Sequence, residues 1–223
     1  RQRVLNAIAD QIEQRADELA KVITQEQGKP LFLAQAEVGG AIAWTRATAA
    51  LEIPVEVIED SDNKRIEMHR KPLGVVGSIT PWNWPVNQIM CKVAPALAAG
   101  CTMVLKPSEE APLSAILVAE VLEAAGVPAG VFNMVHGTGE GVGAPLSSHP
   151  DVDLVSFTGS TRAGTAVMKA AADTIKKVCL ELGGKSANIL LDDVDFDRSV
   201  KQGVLSCFSN TGQSCNAPTR MLV

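Results

Sequence analysis

The chain has no apolar run long enough to cross a bilayer: stretches such as Ala94 to Ala99, with Val104 and Leu105, are interrupted by Lys92, Gly100, Lys106 and Pro107. It has no excess of positive charge either. A formal net charge of -5 leaves no basic surface able to hold a nucleic-acid backbone or an anionic lipid as main partner, so neither nucleic acid nor membrane is expected. Closely spaced cysteine pairs are also absent. Cys91, Cys101, Cys179, Cys207 and Cys215 lie too far apart for metal ligation in pairs, and their odd number argues against a closed disulfide framework. No metal is expected, and free thiols suit a reducing cytoplasm. There is no internal repeat and no low-complexity tract. Arg1-Gln2-Arg3 leads into a charged helical pattern rather than a secretory signal, and the missing initiator Met makes an earlier segment expected.

What is present is ample apolar material. With 46% hydrophobic residues among 223, the chain can bury a core, as one large domain or two smaller ones. Val4, Leu5, Ile8, Ile12, Leu19, Val22 and Ile23 recur at helical spacing, which predicts a first helix stopped by Gly28-Lys29-Pro30. A second helix is expected over 33–50. Residues 55–68 then alternate apolar with polar around Ser61-Asp62-Asn63, the pattern of an exposed hairpin.

From Pro72 onward, β-rich runs at 75–80, 102–105, 131–135, 154–157 and 178–180 alternate with amphipathic stretches. That alternation predicts βαβ units and a parallel sheet with helices on both faces, an α/β fold of the Rossmann-like kind. Ligands in such folds bind beyond the carboxyl ends of the strands. A further strand at 186–191, a helix from about Asp195 and a strand at 219–223 read as the start of a second α/β domain whose remainder is absent. The expected division is 1–54 with 72–183 as the dinucleotide-binding domain, 55–71 as an inserted hairpin and 184–223 as the start of a catalytic domain.

Two glycine-rich turns link a strand to a helix. Gly137-Thr138-Gly139-Glu140-Gly141-Val142-Gly143-Ala144 fits a loose dinucleotide fingerprint, while Phe157-Thr158-Gly159-Ser160-Thr161 offers glycine, a hydroxyl and free helix N–H groups to a phosphate. Either also reads as a plain tight turn. Lys106-Pro107-Ser108-Glu109 sits at the end of the second strand of the sheet, where ammonium and carboxylate suit ribose hydroxyls; a helix start with Ser108 as N-cap looks much the same.

Among the thiols, Cys215 stands apart. It lies in Ser209-Asn210-Thr211-Gly212-Gln213-Ser214-Cys215-Asn216, a polar loop that would expose sulfur near backbone N–H groups, whereas the other four sit in apolar or helical contexts that suit buried structural cysteines. Glu181, at the mouth of a predicted buried strand, is a rim charge or a base whose pKa partial burial would raise. Asn83, in Thr80-Pro81-Trp82-Asn83-Trp84-Pro85, is a turn residue or an oxyanion donor.

Taken together, ITPWNWP at 79–85, LKPSEEAP at 105–112, HPDVDLVSFTGSTRAG at 149–164, LELGGKS at 180–186 and NTGQSC at 210–215 give the chain a close resemblance to the aldehyde dehydrogenase superfamily over essentially its whole length. The resemblance implies Cys215 as nucleophile, Glu181 as general base, Asn83 as oxyanion donor and Lys92 near the base's proton route. It further implies Lys106 and Glu109 at the adenosine ribose, with Ser108 in the same motif, and Gly159 and Ser160, after Phe157, at the pyrophosphate. Thr80, Pro81, Trp82, Leu182 and Gly183 would line the cofactor cleft, with Gly139 and Gly143 shaping its adenine side. NAD is the implied cofactor, since Glu109 would repel a 2′-phosphate, with NADP as the alternative. The implied partners are a small-molecule aldehyde and further copies of the chain, as a homodimer or homotetramer bridged by the hairpin. Thr211, Ser214 and Trp84 depart from the residues many members carry (Gln, Cys and Phe), beside the substrate tunnel. A second ribose-binding glutamate of the family has no counterpart here. The rival readings are a CoA-acylating relative, which the Glu181 motif opposes, and a non-catalytic cofactor-binding fragment.

Overall fold

A computed structural model describes residues 1–223. The expected first helix is two, α1 (Gln2–Gln14) and α2 (Ala16–Gln27), broken at Arg15. The break lets each half turn its own apolar stripe, Leu5, Ile8 and Ile12 on α1 and Leu19 and Ile23 on α2, into the core beside the third helix, α3 (Leu31–Ala49). Arg15 itself bonds Glu18 and Glu120 at 2.7 Å each. Gly28 ends α2 in the left-handed conformation at φ 81°, the reason glycine stands there.

The hairpin forms as β1 (Glu56–Ser61) and β2 (Lys64–Met68), antiparallel and outside the main sheet. Thereafter strand and helix alternate: β3 (Val75–Ile79), α4 (Pro85–Ala99), β4 (Thr102–Lys106), α5 (Leu113–Ala124), β5 (Phe132–Met134), α6 (Ala144–Ser148), β6 (Leu154–Gly159), α7 (Thr161–Ala172) and β7 (Lys177–Leu182). The five strands β3 to β7 form one parallel sheet in the order β5-β4-β3-β6-β7, so the chain winds outward both ways from β3. Beyond it, β8 (Ala187–Ile189) and β9 (Arg220–Leu222) pair in parallel across α8 (Phe196–Cys207), whose N-terminus is capped by Asp195 accepting from the Arg198 N–H at 3.1 Å.

The sheet has two unlike faces. Val75, Ile79, Val155 and Phe157, with Val178, Leu180 and Leu182, pack against α6 and α7. On the other side Val76, Met103 and Leu105 pack against α4, α5 and the three N-terminal helices, forming the larger core. Because strand side chains alternate, Ser78, Ser156 and Cys179, which share a register row, and Thr158 and Glu181 in a second row also face α4. This polar half-face leads to the carboxyl edge of the sheet.

Two readings of the sequence do not hold, the alternative one for Ser108 and the buried strand before Glu181. Ser108 does not cap α5: its Oγ accepts from the Glu110 N–H at 3.3 Å within a turn, and Glu26 of α2 caps the helix instead, accepting from Leu113 and Ser114 at 2.7 and 3.1 Å. The strand bearing Glu181 is not buried. β7 is a sheet edge, so Cys179 and Glu181 are both exposed.

Candidate active site

β3 ends beneath a turn in which Thr80 is buried while Pro81, Trp82, Asn83 and Trp84 rise to the carboxyl edge of the sheet. Pro85 then opens α4 at a position where its missing N–H costs nothing. Trp84 gives α4 no side-chain cap; Glu37 of α3 does so from outside, accepting from the Asn87 N–H at 3.1 Å. Glu37 is ion-paired with Lys29, both side chains completely buried, and the Lys29 ammonium lies 3.6 Å from the centroid of the Trp84 ring. Burial pushes the Glu37 carboxyl up and the Lys29 ammonium down, and their mutual attraction offsets only part of this. Gln27 fastens the same turn by donating to the Asn83 carbonyl at 3.2 Å.

The Cys215 loop is held against that turn. Asn210 and Thr211 take left-handed conformations at φ 52° and 56°, followed by Gly212 at 78°. Such backbone costs a non-glycine residue roughly 1–2 kcal/mol, so something must hold it. The buried Asn210 amide does: it donates to the carbonyls of Asn83 at 2.9 Å and Gln213 at 3.2 Å, and Gln27 donates to its oxygen at 3.4 Å. In return Asn83 Nδ2 donates to the Gln213 carbonyl at 2.8 Å, and Trp84 Nε1 donates to Ser214 Oγ at 2.9 Å. An amide nitrogen carries two hydrogens, so Asn83 keeps one for another acceptor. Cys215 emerges exposed from this frame.

Opposite stand the ends of β6 and β7. A cleft of about 590 Å³ is lined by Pro81, Trp82 and Asn83 from the first turn, Gly212 to Cys215 from the loop, Thr158 to Thr161 from β6 and α7, and Glu181 to Lys185. Phe157 lies beneath it. A Cβ on Gly159 would stand 2.5 Å from the Phe157 ring, so only glycine lets the turn lie on that ring. Ser160 caps α7, accepting from the Ala163 N–H at 3.2 Å, and no acidic residue in the first turn offsets the helix's positive end. The Thr80 and Thr158 hydroxyls are buried without a protein partner, and a Cβ on Gly183 would meet open space. A pyrophosphate and its neighbouring sugar fit these features.

Behind Glu181, Lys92 reaches across from α4 to donate to Ser156 Oγ at 2.9 Å. Burial lowers its ammonium to about 8, with Glu181 the main opposing influence, followed by Cys91 and Cys179. Lys106 and Glu109 form a separate cluster at the end of β4: the buried Lys106 bonds Glu109, which also accepts from the Gly139 N–H at 3.3 Å. Lys106 and that N–H hold the Glu109 carboxyl below the usual carboxylate range. Thr138 closes the Gly139 turn, accepting from the Gly141 N–H at 3.0 Å, and Gly143 packs near Ile79.

The structure therefore brings Cys215, Asn83, Glu181, Pro81, Trp82, Gly159, Ser160, Leu182 and Gly183 to one cleft and places Lys92, Thr80 and Phe157 beneath it. Lys106, Ser108, Glu109, Gly139 and Gly143 sit at neighbouring strand ends, off its lining. Gln27, Lys29, Glu37 and Asn210 also hold the site, and the sequence does not single them out for it. Only Asn210, an asparagine before Thr-Gly, carries a local sign, its tolerance of left-handed backbone.

Fold and site together define a class: a Rossmann-like α/β chain in which a thiol, a carboxylate and a glycine turn line one cleft at the carboxyl edge of the sheet. The chain belongs to the aldehyde dehydrogenase family, whose sequence model matches residues 1–223. It is 58% identical over 224 residues to a 3-succinoylsemialdehyde-pyridine dehydrogenase of a Pseudomonas species, a match covering 99% of this chain and 46% of that protein. Among solved structures, an aldehyde dehydrogenase from Bartonella henselae is 50% identical with a TM-score of 0.92, covering 98% of this chain and 46% of its own. A cysteine-to-alanine mutant of aldehyde dehydrogenase C from Pseudomonas syringae, in complex with NAD+ and octanal, is 48% identical with a TM-score of 0.93, covering 99% and 45%. The chain thus spans about half the length of the curated relatives it matches.

Proposed function

We propose that this chain carries the nucleophile, the base and the cofactor cleft for NAD-dependent oxidation of an aldehyde to a carboxylic acid. The observation that carries the reading is the single cleft shared by Cys215, Asn83, Glu181 and the Gly159-Ser160 turn. The Cys215 thiolate attacks the aldehyde carbon, forming a C–S bond and an alkoxide that the free Asn83 N–H and the Cys215 backbone N–H stabilise. NAD, when bound along Gly159, Ser160 and Gly183, supplies the acceptor for the hydride that leaves this carbon. The chain is then left as a Cys215 thioester. Glu181 takes a proton from water as its oxygen adds to the thioester carbon; collapse breaks the C–S bond, frees the Cys215 thiolate and releases the acid.

Lys92 is positioned to pass on the proton that Glu181 gains. Glu109 holds ribose hydroxyls and opposes a 2′-phosphate, which favours NAD over NADP. Residues 1–54 and 72–183 act as the dinucleotide-binding domain and 184–223 open the catalytic one. The exposed Val57, Ile58, Ile66 and Met68 of the hairpin suit it to bridging copies of the chain in a dimer or tetramer, and the cytoplasm suits its free thiols. The test is optical: with an aldehyde panel and NAD, the complete polypeptide reduces the cofactor, Cys215→Ala abolishes turnover, and Glu181→Gln gives one burst and a trapped acyl-enzyme detectable by mass. Turnover surviving in Cys215→Ala would overturn the reading.

A further inference from the structure

We infer that Trp84 and Ser214 form one positioning unit that sets where the Cys215 sulfur stands; the inference rests on Cys215 being the nucleophile. An indole N–H can only donate, and here its partner is the Oγ of Ser214 at 2.9 Å. Ser214 directly precedes Cys215, so this bond ties the nucleophile's neighbour to the turn that carries Asn83. The other bonds between turn and loop act further back, on Asn210 and Gln213. Residues 210 to 212 are left-handed throughout, and strained backbone of this kind keeps its shape only when outside contacts fix it.

The indole is itself fixed from behind. The Lys29 ammonium lies 3.6 Å from its centroid, and Lys29 is paired with Glu37, which caps α4. A shift of the ring away from Lys29 would give up its contact with a fully buried charge. A rigid donor aimed at the residue beside the thiol governs placement, and a displacement of about 1 Å can cost on the order of a hundredfold in rate. Ser214 and Trp84 thus act on the reaction through the placement of Cys215.

The test uses the complete polypeptide in two sets of variants. The first is Trp84→Phe, Ser214→Ala and the double variant; the second is Ser214→Thr against Ser214→Val, near-isosteric side chains of which only Thr keeps the acceptor oxygen. The readouts are kcat/KM for aldehyde oxidation and the rate of Cys215 alkylation by iodoacetamide, located by peptide mass. Each member of the first set loses about tenfold in kcat/KM, with the double variant within about twofold of either single, as expected for residues acting as a unit. Ser214→Thr retains the parent's rates and Ser214→Val does not. Multiplying losses in the double variant, or equal rates for Thr and Val, would overturn the inference. Absence of aldehyde oxidation in the unsubstituted protein would instead sink the proposed reaction, and the Cys215 alkylation rates would still decide whether the pair acts as a unit.

Discussion

Replacing Glu37 by Gln keeps the side chain's shape and leaves one oxygen for the Asn87 N–H, but it sets an amide against a fully buried ammonium. Breaking a buried pair in this way costs roughly 3–5 kcal/mol. Lys29 has one escape, which is to lose its proton. From an ordinary lysine value of 10.5, deprotonation near pH 7 costs about 5 kcal/mol at about 1.4 kcal/mol per pH unit. That figure is a ceiling on the charge penalty, and it drops to about 2 kcal/mol near pH 9. Glu37→Gln therefore destabilises the protein by ~3–5 kcal/mol near pH 7 and by about 2 near pH 9. Urea unfolding followed by tryptophan fluorescence reads this directly, since Trp84 lies on Lys29. In the double variant Lys29→Met with Glu37→Gln the pair has no charge left to titrate, and the stability difference from the parent no longer changes in the way the single variant's does between the two pH values. A Glu37→Gln loss below about 1 kcal/mol, or one unchanged between the two pH values, would show that the pair is not isolated from water and refute the reasoning.

Three further outcomes are expected. Lys92, lowered to about 8, gives up its proton in the folded state before the unfolded chain does, so the unfolded state binds more protons between about 8 and 10.5. Stability therefore climbs with pH through that window, by on the order of 3 kcal/mol, and urea midpoints of Lys92→Met lack this rise. Asn83→Ala removes both the loop bond to Gln213 and the free donor; kcat falls about a hundredfold, the equivalent of ~3 kcal/mol, and a loss confined to KM would argue against an oxyanion role. Glu109→Gln raises the ratio of NADP to NAD use, measured as kcat/KM, by about tenfold; an unchanged ratio would place the carboxylate away from the 2′ position.

What the sequence shows of this protein is what local spacing and long motifs encode. The β-rich runs after Pro72 appear as the parallel sheet because βαβ units carry their alternation within a short stretch. The residues at the carboxyl edge are legible because glycine, asparagine and a polar cysteine loop have no packing reason to follow buried strands. The contacts that hold those residues are not legible. Glu37 caps α4 from 50 positions away, Glu26 caps α5 from 87, and Asn210 reaches the Asn83 carbonyl across 127. A capping carboxylate on a remote helix looks like any helical Glu, and Lys29 in Gly28-Lys29-Pro30 looks like part of a stop signal. The turn bearing Asn83 and the loop bearing Cys215 are each strained or uncapped alone. Each supplies the polar atoms the other lacks, so the geometry at the thiol belongs to the pair and to the buried charges behind it.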